Sequence, residues 1–159
     1  MQDFVHLHVH TQYSLLDGQA SVARLVDKAM KNGMKGIAVT DHGNMFGIKE
    51  FTNYVNKKNS GPKGEVKDLK KRIAGIEAGM IECEDKEAEI AACKAKIVEA
   101  ENKLFKPIIG CEMYVARRTM DLKEGKPDQS GYHLIVLAKN ETGYHNPVSY
   151  THLTLPTKA

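Results

Sequence analysis

Residues 4–10 begin with Phe4, after which apolar and histidine side chains alternate strictly as far as His10. An alternation of two residues is the period of a β-strand, so this segment predicts a first strand. One face of that strand carries the apolar residues Val5, Leu7 and Val9, and the other carries His6, His8 and His10.

The spacing of apolar residues changes twice between Ser21 and Val55. Val22 to Met30 has the apolar spacing of an amphipathic helix, with Ser21 as N-cap and Asn32-Gly33 as its end. Gly36 to Thr40 predicts a short buried strand, and Met45 to Val55 predicts a second helix. Strand, helix, strand and helix in succession indicate a parallel α/β fold.

Residues 59–106 have a different character and predict a helical insert. Pro62-Lys63-Gly64 is expected to break the chain, and a charge-rich segment without aromatic residues follows. Apolar residues then recur at every seventh position, as in a coiled-coil seam. These residues are Leu69, Ile76, Cys83, Ile90, Ile97 and Leu104. Because Gly75 and Gly79 favour a bend, we expect two antiparallel helices that form a solvated arm without chemistry.

The α/β pattern resumes after the insert. Pro107 to Val115 predicts a buried strand that contains Glu112, and Tyr132 to Ala138 predicts a fourth strand with His133 near its start. A polar loop from Arg117 to Ser130 joins them, and Lys139 to Tyr144 predicts a turn towards a helix. Residues 147–159 have two prolines and no helical stripe, and they are similar to read-through of sequencing-adapter DNA. We therefore expect residues 1–146 to be native and 147–159 to be foreign.

Composition narrows the class of protein. A chain of 159 residues fits one domain, and a net charge of +3 is too small to indicate nucleic-acid binding by itself. No apolar run is long enough for a membrane span, and the first residues do not have the pattern of a signal peptide. Three widely spaced cysteines fit reduced thiols, which favours the cytoplasm.

Polar groups that can bind metal follow or interrupt each predicted strand. Asp17 follows the first strand, His42 the second, Glu112 lies in the third and His133 in the fourth. Side chains at one end of parallel strands meet in one site, and imidazole is a common ligand of zinc and related ions. The alternatives are a water-facing row of histidines and a salt bridge for Glu112. The set as a whole favours a metal site.

These residues also carry a family resemblance. His6-Leu-His-Val-His10-Thr11 with Asp17-Gly18 resembles the first motif of the PHP (polymerase and histidinol phosphatase) superfamily, and Thr40-Asp-His-Gly43 resembles its second. Lys106 to Ala116 and Tyr132 to Asn140 are similar to the subgroup found in bacterial DNA polymerase III alpha subunits. The resemblance implies a partial, irregular (β/α) TIM-like barrel, with residues 59–106 as an inserted helical hairpin.

The resemblance also implies a ligand set. The metal ligands would be His8, His10, Asp17, His42, Glu112 and His133. Glu112 would bridge two ions, and Glu112, His8 and His10 would be the catalytic residues. His6 would support the site from outside, and Asp41 would orient His42 or its loop. The cofactor would be a divalent cluster, with zinc favoured and manganese, iron or magnesium as alternatives.

Three functions follow from the resemblance. In the first, the parent protein is a replicative DNA polymerase whose PHP domain is a 3′-5′ exonuclease or another phosphoesterase, with DNA and replisome subunits as partners. This chain alone is expected to be inactive, because later ligands and the polymerase domain would lie beyond residue 146. The second is a non-catalytic PHP module that uses metal as a staple. The third is a stand-alone phosphatase of the histidinol-phosphate type.

Overall fold

The computed structural model describes residues 4–119, 121–122, 124–126 and 131–153, with the backbone alone for 149–153. The chain divides into two compact units. The first unit combines the chain up to Tyr54 with the chain from Lys106 onward, and the second is Val55–Phe105. Within the described ranges, no helix is both long enough and apolar enough to cross a membrane.

The first unit has a three-stranded sheet of β1 (Gly36–Val39), β2 (Lys106–Val115) and β3 (Tyr132–Leu137), in that order. β1 and β2 are parallel, whereas β2 and β3 are antiparallel. The expectation that all strands are parallel is therefore wrong for β3. Parallel neighbours need a long crossover, usually a helix, and the described residues between β2 and β3 contain none. The predicted polar loop from Arg117 to Ser130 lies partly outside the described residues.

Residues 4–10 run beside β1 but do not form the predicted strand. The amide of Ala38 donates to the His6 carbonyl and that of Thr40 to the Val9 carbonyl, each at 2.9 Å. Between these two bonds the first segment advances by three residues, from His6 to Val9, whereas the second advances by two, from Ala38 to Thr40. The first segment bends at Leu7. The bend breaks the alternation and leaves Leu7 49% exposed. An extra residue of this kind re-aims the side chains that follow it.

Helix α1 (Val22–Lys31) has the predicted N-cap. The Ser21 hydroxyl accepts from the Arg24 amide, and Gly33 follows the helix with a φ of 76°. A positive φ suits glycine because a Cβ would be strained there. The buried stripe of α1 consists of Val22, Val26 and Ala29.

Helix α2 (Ile48–Lys58) begins three residues later than predicted. Asn44 accounts for the delay, because its side chain accepts from the Phe46 amide and donates to the carbonyls of Tyr13 and His42. These bonds hold the preceding residues in a turn instead of a helix. The core of the first unit includes Val26, Ile37, Val39, Phe51 and Cys111.

The second unit is the hairpin of α3 (Ser60–Glu77) and α4 (Lys86–Asn102). Ile76, Cys93 and Ala100 are buried in this unit, and Arg72 pairs with Glu89 at 2.7 Å. The expected break at Pro62-Lys63-Gly64 is wrong, because these residues lie inside α3. Proline is tolerated in the first turn of a helix, where its missing N–H has no intrahelical partner to lose.

The two ends of the hairpin are joined at its base. The side chain of Asn59 accepts from the Phe105 amide at 2.9 Å and donates to the Phe105 carbonyl at 2.8 Å. Both bonds are buried, which strengthens them relative to solvent-exposed bonds. At the far end, Gly79 has a φ of 71° and begins the turn from α3 to α4.

Helix α5 (Glu141–Leu153) follows β3 and contains Pro147. It therefore extends into the segment 147–159, for which the sequence predicts no helical stripe. Residues 154–159 lie outside the described part of the chain. That residues 147–159 are foreign to the domain stays a prediction.

Candidate metal centre

Glu112 is at the centre of the site. It lies in the buried middle of β2 and is 2% exposed. Its amide donates to the Asp41 carbonyl at 3.0 Å, and its carbonyl accepts from the Gly43 amide at 2.8 Å. These bonds attach the loop that follows β1 to the middle of β2, so His42 is brought beside the Glu112 carboxylate.

One carboxylate oxygen of Glu112 faces the histidines of the first segment. Oε2 lies 2.6 Å from Nε2 of His8 and 3.0 Å from Nε2 of His10. The two imidazole nitrogens are themselves 3.1 Å apart. Three donor atoms this close together can all lie at the roughly 2.0–2.2 Å that a zinc ion requires.

The other oxygen faces a different pair of histidines. Oε1 lies 2.8 Å from Nδ1 of His133 and 3.2 Å from Nδ1 of His42. Despite these distances, Oε1 is buried without a hydrogen-bond partner among the described residues, because neither contact has hydrogen-bond geometry. Buried oxygens without a partner are costly, and one that faces two imidazole nitrogens fits a metal ligand. Asp17 completes this side, with Oδ2 2.7 Å from Nδ1 of His42.

The structure brings all six predicted ligands together in three overlapping groups. The groups are His8, His10 and Glu112; His10, Asp17 and His42; and His42, Glu112 and His133. Within each group the donor atoms lie within 4.8 Å of one another. Imidazole and carboxylate donors suit zinc, manganese and iron, so the residues present fit a divalent cluster. His6 belongs to none of these groups, and its ring packs edge-on against Phe4 at 4.8 Å.

Asp41 holds the loop that carries Asp17. The carboxylate is 1% exposed and accepts from the Thr11 amide at 2.6 Å, the Thr11 hydroxyl at 2.9 Å and the Ser14 hydroxyl at 2.7 Å. The Ser14 hydroxyl in turn accepts from the His42 amide at 3.0 Å. Asp41 thus connects the Asp17 loop to the His42 loop.

The glycine of the Asp17-Gly18 motif has a steric explanation. A Cβ on Gly18 would lie 1.9 Å from the carbonyl oxygen of Thr11, which no side chain can occupy. The loop therefore closes tightly on the end of the histidine segment, and Asp17 is held near His42 by this closure.

The electrostatics of the cluster favour an ionised Glu112. Burial opposes its ionisation more than any single neighbour, but hydrogen bonds from His8 and His10 and the charges of His133 and His10 outweigh burial. The pKa of Glu112 is therefore below its usual value. A carboxylate must be deprotonated to bind metal, so the site is prepared for a cation at neutral pH.

Tyr114 also belongs to the site, although the sequence patterns considered above do not identify it. Its ring lies 5.1 Å from that of His42 and 5.0 Å from that of His133. The available signal was its position two residues after Glu112, which places both side chains on one face of β2.

Cys111 is adjacent to the site but faces away from solvent, and we expect its thiol to be unreactive in the folded chain. Burial, reinforced by the charges of Asp41 and Glu112, raises its pKa to about 11. At pH 8 a thiol-labelling reagent should therefore modify Cys83, which is half-buried, and leave Cys111 unlabelled. Mass spectrometry of labelled peptides measures this difference. In urea all three cysteines should label, and native labelling of Cys111 at pH 8 would contradict the structure.

A comparison against protein families gives the class of this chain. The model of the PHP domain matches residues 6–158, so the chain belongs to the PHP domain family. The chain matches the N-terminal region of DNA polymerase III alpha subunits, which confirms the resemblance of the sequence motifs.

Three relatives illustrate the likeness, each a DNA polymerase III subunit alpha. The protein from Treponema pallidum is 40% identical over 144 residues, which is 90% of this chain and 8% of the relative. The protein from Borreliella burgdorferi is 38% identical over 154 residues, which is 95% of this chain and 9% of the relative. The protein from Aquifex aeolicus is 31% identical over 151 residues, or 91% and 9%. The chain thus spans less than a tenth of the length of these curated relatives.

Proposed function

We propose that this chain is the opening part of a cytoplasmic DNA polymerase III alpha subunit, and that its PHP domain binds a divalent-metal cluster. In the full-length protein the open sheet would continue into an irregular (β/α) TIM-like barrel. DNA and other replisome subunits would be the partners of that protein. Similarity to several polymerase alpha subunits supports this assignment.

The two oxygens of the Glu112 carboxylate carry the proposal of a metal cluster. Oε2 faces His8 and His10, whereas Oε1 faces His42 and His133. With this carboxylate, His8 and His10 would hold metal on one side, and His42 and His133 would hold metal on the other. Six ligands divided in this way suit two or three ions better than one, with zinc favoured and manganese, iron or magnesium as alternatives.

The proposed chemistry is phosphoester hydrolysis at a 3′ DNA end. When bound, such ions lower the pKa of a coordinated water and neutralise charge on phosphate oxygens. Glu112, His8 and His10 would hold this centre, and Glu112 would do so from a buried position that excludes bulk water. The side chains of His8 and His133 are each 51% exposed, so the imidazole side of the site is open to a substrate.

A second function is supported by the sequence distances between the ligands. Glu112 and His8 are 104 residues apart along the chain but 2.6 Å apart in space. An ion between them would cross-link the beginning of the domain to β2 and stabilise it without catalysis. In this alternative, the PHP domain is a metal-stapled docking module of the polymerase. The third alternative, a stand-alone histidinol-phosphate phosphatase, has no support in the relatives named above.

Release of mononucleotides from a primer with a mismatched 3′ end tests the catalytic proposal. With manganese or zinc, the full-length protein that contains this chain should release nucleotide, and His8→Ala should slow release by about 100-fold or more, as loss of a charge-stabilising group typically does. His145→Ala is the matched control, because His145 is 63% exposed on α5 and belongs to none of the ligand groups. Equal release by wild type and His8→Ala would exclude this site as the nuclease. Tight metal binding without release would favour the staple.

A further inference from the structure

Three aromatic rings pack together at the edge of the proposed metal site. The ring centres of His42, Tyr114 and His133 are 5.0 to 5.1 Å apart in all three pairs. The Tyr114 and His133 rings meet at 84° and the His42 and His133 rings at 83°, which are edge-to-face contacts. Aromatic pairs in this arrangement are favourable beyond their buried area. The tyrosine thus contacts both histidines that face Oε1 of Glu112.

The backbone fixes Tyr114 in this place. Tyr114 lies directly opposite His133 in the antiparallel pairing of β2 and β3, so their side chains share one face of the sheet. On its other side, a Cβ on Gly43 would lie 3.7 Å from Cε2 of Tyr114, so the ring also lies close to the loop of His42. Both histidines are therefore within reach of one rigid ring on the central strand.

Within the described residues, the polar contact that could orient His133 besides this packing is that of its Nδ1 with Oε1 of Glu112 at 2.8 Å. His133 lies on β3, which is at the edge of the described sheet, and its side chain is 51% exposed. The contact of its Nδ1 with Glu112 lacks hydrogen-bond geometry at Oε1. An exposed imidazole without such support samples several rotamers, and an ion must then restrict it on binding.

We propose that Tyr114 is a positioning residue that holds the imidazoles of His42 and His133 in the orientation needed to bind metal with Oε1 of Glu112. The ring does this by packing. This inference rests on the proposed metal site for the identity of the ligand, but the ring packing itself exists without metal.

The first measurement therefore uses the metal-free chain. The imidazole signals of His42 and His133 in NMR spectra should be sharp and shifted by the neighbouring ring in wild type and in Tyr114→Phe. In Tyr114→Ala these two signals should broaden or move towards random-coil positions, whereas that of His8, which shares no ligand group with either histidine, should stay in place. Unchanged His42 and His133 signals in Tyr114→Ala would overturn the proposal, whether or not the chain binds metal.

The second measurement is a zinc titration followed at the same imidazole signals. In Tyr114→Ala, His42 and His133 should respond at zinc concentrations about 10- to 100-fold higher than in wild type, the usual effect of losing a residue that orients a ligand. His8 should respond as in wild type, and Tyr114→Phe should restore the wild-type response at His42 and His133. If Tyr114→Phe is as weak as Tyr114→Ala, the hydroxyl is responsible and the packing proposal is wrong.

Tyr132→Ala is the matched control for both measurements. Tyr132 is next to His133 on the same strand, is 60% exposed and packs against the Arg117 guanidinium on the opposite face. Tyr132→Ala removes an aromatic side chain of the same size but leaves the three-ring cluster intact. Zinc should therefore bind as in wild type. An equal loss in Tyr132→Ala and Tyr114→Ala would show a general weakening of the hairpin and overturn the specific role of Tyr114. Absence of zinc binding by wild type would refute the metal site alone.

Discussion

Glu112→Gln should abolish metal binding on both sides of the site at once. Glutamine keeps the shape of the side chain, but it replaces one oxygen by an amide nitrogen and removes the negative charge. Because the oxygens of Glu112 face two different histidine pairs, one substitution should weaken metal binding at both pairs. We expect the affinity to fall by more than about 100-fold, beyond the 10- to 100-fold effect of a supporting residue. Isothermal titration with zinc or manganese measures the loss.

The shared role of Glu112 can be separated from simple ligand loss. His8→Ala and His133→Ala should each weaken the response on their own side, whereas Glu112→Gln should weaken both. Glu141→Gln is the control, because Glu141 is 90% exposed on α5. If Glu112→Gln retains one ion at wild-type affinity, Glu112 does not bridge, and the ions would be held independently.

Asp41→Ala should cause the largest loss of stability among substitutions near the site. The buried carboxylate accepts from the amide and hydroxyl of Thr11 and from the hydroxyl of Ser14, and alanine leaves all three donors without this acceptor. Hydrogen bonds to a charged group contribute about 1.5–3 kcal/mol each, and their losses within one network are not additive. We expect the free energy of unfolding to fall by at least about 3 kcal/mol, measured by urea unfolding followed by circular dichroism.

An exposed aspartate provides the comparison for this variant. Asp68 is exposed on α3, and Asp68→Ala should change the free energy of unfolding by no more than about 0.5 kcal/mol. Asp41→Asn should fall between the two, because the amide keeps one acceptor oxygen. A loss below about 1 kcal/mol in Asp41→Ala would mean that water replaces the carboxylate and that the loop is not held as described.

Asp17, His42, Glu112 and His133 could be singled out by their places after or inside predicted strands, whereas the choice of His8 and His10 over His6 came from the family resemblance. His8, His10, His42 and Glu112 converge even though residues 4–10 are not a regular strand. The bend at Leu7 could not be predicted from alternation, because alternation records side-chain polarity and not which backbone groups find partners. Val9, for example, donates its amide to the Thr40 hydroxyl, where a regular ladder would use a carbonyl.

Strand direction was the other feature that sequence patterns did not provide. The apolar run from Tyr132 to Leu137 reads the same for a parallel and for an antiparallel strand. Its direction is given by the antiparallel pairing of β3 with β2. The direction places His133 opposite Tyr114, so the same unpredicted feature hid the three-ring cluster. The break assigned to Pro62 failed for a local reason, since its effect depends on its place in the helix.

The reciprocal bonds between Asn59 and Phe105 bear on how far the length of this hairpin can change. They bring the entry and exit of the hairpin to a single point, so the two attachment positions stay together whatever lies between them. Lengthening a connection whose ends are already fixed changes its closure entropy only slowly. Lengthening or shortening the two helices between Asn59 and Phe105 should therefore keep these two residues together at little cost in closure entropy.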